Sequence, residues 1–199
     1  FRRVDPELKV RFGVKDGAGI SPGEVIATVE GSIASILKAE RTALNFLQHL
    51  SGIATETNRY VKAVEGLPVQ ITDTRKTTPG LRALEKYAVK VGGGKNYRMH
   101  LGDGVLIKDN HLSALQSEGL SLKEIIARIW RNAPAATVVE VEVSTPQEAL
   151  EAAEAGANIV MLDNMSLDDM RQAVKMLQGV ALTEASGRIT LDTVRAVAK

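Results

Sequence analysis

The segment Asp73-Thr74-Arg75-Lys76-Thr77-Thr78-Pro79-Gly80 sets two adjacent cations, a carboxylate and three hydroxyls where an apolar strand gives way to a helix. Arginine offers a planar fork that matches carboxylate or phosphate oxygens in pairs, and lysine offers a point charge. Arg75 and Lys76 therefore point to an anionic ligand. A solvated basic turn would carry the same pair, so other positions must decide. Arg98, Lys108, Glu140, Glu142 and Asp163 do so, because they too fall at strand ends or in the loops that follow. Cations beside carboxylates suit a ligand with anionic groups plus hydroxyls or a divalent metal. Glu and Asp have low strand propensity, so neither is needed to hold a strand together. Glu140 and Glu142 share one strand face, which a solvent-facing side would also explain. Asp163 ends a wholly apolar run, which solvent exposure does not explain.

These residues need elements to position them. Val69-Gln70-Ile71-Thr72 alternates like a strand, and Thr78 with Pro79 has the form of a helix start. Leu81, Leu84, Ala88 and Val91 give a helical stripe that Gly92-Gly93-Gly94 stops. Val105-Leu106-Ile107 leads into Lys108-Asp109-Asn110-His111, and Ser121 with Glu124 has capping-box spacing. Thr137 to Val143 forms the next strand, and Thr145-Pro146-Gln147-Glu148 the next helix start. Ile159-Val160-Met161-Leu162 then runs to Asp163-Asn164, followed by a helix at Ser166. Val180-Ala181-Leu182 runs on to Glu184, Ser186 and Gly187, and a last helix starts near Leu191. Repeated strand–helix units with continuous apolar strands predict parallel strands covered by helices. A TIM-like barrel or a doubly wound sheet satisfies this pattern. The charged strand ends favour the barrel, whose strands open onto one mouth.

Before Val69 the grammar changes. Val10 to Val14 and Glu24 to Val29 read as strands, Ser35 to Leu50 as a helix, and Ile53 to Val64 as a connecting helix. We expect a smaller domain over residues 1–66 and the barrel over 67–199. With 199 residues and a formal charge of +1, the chain can bury a core but has no bulk attraction for nucleic acid or membrane. It has no cysteine, which excludes disulfides and thiolate chemistry and fits the cytoplasm. No apolar run approaches the ~20 residues of a membrane span. Among weaker candidates, His49 and His100 read as structural, and His111 reads equally as a support for the site or as a turn residue.

Taken together, Glu40 to Asn45, Leu50 to Thr55, Asp73 to Leu81, Asn96-Tyr97-Arg98, Leu106 to His111, Glu140 to Val143, Met161 to Asn164 and Glu184 to Gly187 resemble the quinolinate phosphoribosyltransferases. The resemblance implies an open or incomplete TIM-like α/β barrel of the type II phosphoribosyltransferases, preceded by a partial smaller α/β sandwich domain. It implies transfer of phosphoribosyl from phosphoribosyl pyrophosphate to quinolinate with decarboxylation, giving nicotinate mononucleotide, pyrophosphate and CO2 with Mg2+. By the same resemblance Arg75, Tyr97, Arg98 and Lys108 meet quinolinate. Arg41 reaches the partner's site in a homodimer, or in a higher oligomer built on one. Lys76, Glu142, Asp163, Ser186 and Gly187 meet the donor. Lys108, Glu142 and Asp163 form the catalytic set, with Mg2+ near the two carboxylates.

The chain departs from the family pattern at Tyr97, where histidine is usual, and at Arg188, where a second glycine often follows the Ser-Gly pair. It also lacks the family's first segment before Phe1 and its last strand after Lys199, so the barrel is expected to be incomplete at that end. A molybdenum-transport-associated relative shares the framework, and an inactive binding or assembly protein could use it. Lys108 and its neighbours favour the quinolinate enzyme.

Overall fold

The computed structural model describes residues 1–134 and 136–199. Its chain packs as two compact units, Phe1–Tyr97 and Arg98–Lys199.

In the first unit β1 (Lys9–Phe12) pairs antiparallel with β2 (Ala27–Glu30). A single helix, α1 (Ile33–Ala63), follows and packs on α2 (Arg82–Val91). The two helices expected either side of Ser51-Gly52 are therefore one. A lone glycine inside a helix costs only about 1 kcal/mol, which thirty other helical positions outweigh. The start expected at Thr78–Pro79 also moves. Gly80 has φ +79°, a left-handed conformation, so α2 begins only at Arg82. Residues 69–72 do not form a full strand. They make one parallel bridge, Thr72 with Lys95.

The second unit is built on four parallel strands in sequence order: β3 (Val105–Ile107), β4 (Val139–Val143), β5 (Ile159–Asp163) and β6 (Leu182–Ser186). Around them lie α3 (Asp109–Ser117), α4 (Leu122–Asn132), α5 (Pro146–Glu154), α6 (Leu167–Leu177) and the short α7 (Val194–Val197). The capping boxes at Ser121–Glu124 and Thr145–Glu148 form as their spacing predicts. Sequential order matters here. Right-handed crossovers that always step the same way put every helix on one face, as in a barrel wall, whereas a doubly wound sheet reverses.

Alternation along the strands divides the two faces. Val139, Val141, Val143, Val160 and Leu162 are buried against Ile125, Ile126, Ala149, Ala152, Ala153 and Ala173 from the helices. The intervening positions carry Glu140, Glu142, Met161, Asp163, Glu184 and Ser186. One face of the sheet is thus the core, and the other is polar toward the carboxyl ends of the strands, with Leu106, Ile159 and Leu182 at its opposite end.

The unit boundary after Tyr97 falls later than the domain boundary expected near residue 66. The reason is local, since Asp73, Lys95 and Asn96 are hydrogen-bonded to one another or to α2 within the first unit.

Candidate active site

In the first unit the segment from Asp73 to Gly80 is held chiefly by α2. Arg82 donates through Nε to Thr77 Oγ1 at 3.0 Å and through Nη2 to the Arg75 carbonyl at 3.2 Å. Glu85 accepts from the Thr78 N–H at 3.1 Å and meets His49 Nε2 at 2.8 Å. The Thr78 and His49 hydrogen bonds hold the Glu85 carboxyl below its ordinary range. His49 is thus a structural partner, in line with its sequence reading. Lys86 Nζ donates to Asp73 Oδ1 and to the Tyr97 carbonyl, while the Tyr97 N–H donates back to Asp73 Oδ1 at 2.8 Å. Within this frame Arg75 is half-buried and Lys76 exposed. Arg41 stands exposed on α1. Nothing in the sequence pattern singled out Arg82, Glu85 or Lys86. All three sit in the first turns of a helix, where charged residues are ordinary.

In the second unit, strand register stacks the polar face in layers. Leu106, Glu140, Ile159 and Leu182 are level with one another, and Glu142, Met161 and Glu184 form the next layer. Asp163 and Ser186 form the one after. Lys108, one residue past β3, reaches the Glu142 layer and donates from Nζ to Glu142 Oε2 at 2.9 Å. Half-exposed Lys108 therefore faces a largely buried carboxylate, which suits a charge held ready for a ligand. His111 accepts the Lys108 N–H through Nδ1 at 3.2 Å and so anchors the loop that presents it. His100 caps a 3₁₀ turn, Leu101–Asp103, and is structural as expected.

Arg98 has φ +30° and brings Nη2 to 3.9 Å from Glu140 Oε2. Glu140 is fully buried, so it is not on a solvent-facing side. Burial first, and the Glu140 charge second, push the Glu184 carboxyl up to about 7, against the opposing pull of Arg98. Sequence reasoning gave Glu184 no role. Its signal was present, a carboxylate two residues before Ser186 on the same strand face.

At the strand ends, Asp163 Oδ2 accepts from Asn164 Nδ2 at 2.7 Å, and the Asn164 N–H donates to the Ser186 carbonyl at 2.9 Å. Gly187 follows with φ +89°, and a Cβ there would meet Asn164 Oδ1 at 2.3 Å. The left-handed backbone favours glycine here, and any side chain would have to displace that of Asn164. The structure thus gathers Arg98, Lys108, Glu142, Asp163, Ser186 and Gly187 on one unit, and Arg41, Arg75, Lys76 and Tyr97 on the other.

Comparison with known proteins settles the family. Residues 53–199 match the model of the quinolinate phosphoribosyl transferase C-terminal domain, and residues 1–51 match that of its N-terminal domain. The chain belongs to the quinolinate phosphoribosyltransferase family. It is 41% identical over 201 residues to a probable nicotinate-nucleotide pyrophosphorylase [carboxylating] of Synechocystis, covering all of this chain and 67% of that protein. A Bacillus subtilis protein of the same description is 43% identical, with 98% of this chain and 66% of the relative covered. A mitochondrial quinolinate phosphoribosyltransferase [decarboxylating] of Nicotiana glauca is 41% identical, with coverages of 99% and 60%. Among solved structures, NadC from Streptococcus pyogenes superposes with a TM-score of 0.90 at 44% identity, covering 98% of this chain and 67% of that one. This member of the quinolinate phosphoribosyltransferase family therefore spans 60–67% of the length of these relatives. Their fold bears out the α/β expectation, with a smaller domain before the parallel sheet.

Two further observations bear on ligands and setting. Among the described residues no group of three His, Cys, Asp or Glu side chains could hold a metal ion by itself. No helix among them is long and apolar enough to cross a membrane.

Proposed function

We propose that the full-length protein transfers phosphoribosyl from phosphoribosyl pyrophosphate to quinolinate and removes one carboxylate. Nicotinate mononucleotide, pyrophosphate and CO2 are the products, as in de novo NAD synthesis. The observation that carries this reading is the layered polar face, where Lys108 is paired with Glu142 and Arg98 lies beside Glu140. A dianion and a polyanion must be brought together, which requires fixed positive charge held by oriented counter-charges.

In this reading Arg75, Tyr97, Arg98 and Lys108 bind the quinolinate carboxylates and Lys76 binds the donor. Tyr97 contributes a phenolic hydrogen bond where an imidazole is usual. Glu142 and Asp163 take the ribose hydroxyls and stabilise positive charge that develops at the ribose as pyrophosphate leaves. Main-chain N–H groups around Ser186 and Gly187 meet phosphate oxygens. Once the pyridine nitrogen is alkylated, the cationic ring stabilises the electron pair left at the ring carbon as the C–CO2 bond breaks, and that carbon then takes a proton from water. The enzyme's contribution is then position and charge.

Magnesium fits on stated terms. It is commonly held by one or two carboxylates plus substrate phosphates, so an all-protein cage is not required. Glu142 and Asp163, in successive layers of one face, would hold it, and it would supply charge neutralisation at the leaving pyrophosphate.

Arg41 acts in the partner's site, which makes a homodimer the working unit. Residues 67–97 belong with the barrel in the full-length enzyme, and the compartment is the cytoplasm. Calorimetry tests the dianion reading directly. Quinolinate should bind at least tenfold more tightly than nicotinate, which lacks one carboxylate; equal affinities would overturn it.

A further inference from the structure

Among the described residues Lys86 is the largest side chain shut away from solvent, at 1% exposure, and the proposed reaction does not use it. Its counter-ion Asp73 is almost as hidden, with 6% side-chain exposure. Buried ion pairs are weak sources of stability, because desolvation offsets most of the attraction. Well-packed apolar replacements are often neutral or better. Stability alone therefore does not explain a lysine here.

What the pair provides is direction. Lys86 Nζ bonds Asp73 Oδ1 and the Tyr97 carbonyl. The Tyr97 N–H returns to Asp73 Oδ1 at 2.8 Å, and Asn96 Nδ2 reaches Asp73 Oδ2 and the Lys86 carbonyl, both at 2.7 Å. Each Asp73 oxygen is used, and the Tyr97 peptide is gripped at both its N–H and its carbonyl. Asp73 opens the segment that carries Arg75 and Lys76, and Tyr97 stands immediately before Arg98. An apolar residue would fill the same volume without holding Asp73 or the Tyr97 carbonyl.

We propose that Lys86 is a positioning residue, whose ammonium acts through Asp73 and the Tyr97 carbonyl to fix the main chain that presents Arg75 and Lys76 to the anionic substrates. The inference rests on the quinolinate reading for the identity of those substrates. The chemistry of the lock does not depend on it.

The test uses the full-length enzyme, a Lys86→Met/Asp73→Asn double variant and a Lys86→Gln variant. In the double variant the thermal midpoint should stay within a few degrees of wild type. KM for quinolinate or for phosphoribosyl pyrophosphate should rise roughly tenfold or more, as when a bound group is displaced by an ångström or less. Hydrogen exchange over residues 73–80, measured without substrate, should speed up. Wild-type KM values with unchanged exchange would show that the pair only fills space, and would overturn the proposal. If the double variant does not fold, Lys86→Gln decides, since it removes the ammonium and keeps a neutral hydrogen-bond donor of similar shape. Its KM should rise while its midpoint holds, and an unchanged KM with unchanged exchange would overturn the proposal. A wild-type enzyme that makes no product would sink the quinolinate reading, yet the exchange measurement would still judge the lock.

Discussion

The Glu184 carboxyl is raised to about 7 by burial and by the nearby Glu140 charge. The sign of its effect on stability follows from proton counting. Between its ordinary value and about 7 the folded chain keeps a proton that the unfolded chain has lost, so stability falls as pH rises through that window. Replacing it with glutamine removes this dependence. Glu184→Gln should gain on the order of 1 kcal/mol over wild type at pH 8, after allowance for partial exposure, and little at pH 4. Urea titrations at the two pH values measure this. Equal gains at both would mean that the carboxyl does not titrate there. The neighbouring Arg98, Lys108, Glu140, Glu142 and Asp163 share the polar face and are left unchanged in the comparison.

At the scale of elements, the turn after β6 is the most exacting. Gly187 has φ +89° and no room for a Cβ against Asn164, whose main chain is bonded to Ser186. Gly187→Ala must shift that turn or move Asn164 away from Asp163. Such backbone strain costs roughly 1–3 kcal/mol. We expect KM for phosphoribosyl pyrophosphate to rise about tenfold, with KM for quinolinate much less affected. Steady-state kinetics with each substrate varied in turn decide it, and equal changes in both would detach the turn from the donor.

The same elements show how far the sequence could be read. Strand-then-helix order, the Ser121 and Thr145 caps and the alternation in β4 were legible, because local periodicity and capping chemistry specify them. The polar face was legible too, since Glu140, Glu142 and Asp163 have no reason to occupy strands. The late start of α2 was not, because a left-handed Gly80 overrides a favourable cap at Thr78. The fusion at Gly52 was missed because one glycine is a weak break in a long stripe. The pairing of Lys86 with Asp73 was missed for another reason. Their pairing is made by the fold, between residues thirteen positions apart that carry no joint signal in the chain.

At the scale of the whole molecule, the chain accounts for about two thirds of the relatives it matches, and Arg41 is exposed on α1. A dimer in which Arg41 serves the neighbouring site makes a specific prediction. Full-length Arg41→Ala and Lys108→Ala proteins should each lose roughly 10²-fold or more in turnover, as for removal of a preorganised charge. Heterodimers of the two should recover part of the activity, because one site per pair is then intact. Verified heterodimers that stay inactive would place Arg41 in its own subunit's site or outside any site. The most direct test of the account is product formation by the full-length protein. With quinolinate, phosphoribosyl pyrophosphate and Mg2+ together, nicotinate mononucleotide, pyrophosphate and CO2 should appear in equal amounts, and omission of either substrate should abolish all three. Consumption of neither substrate by folded protein, or nicotinate mononucleotide formed without release of CO2, would contradict it.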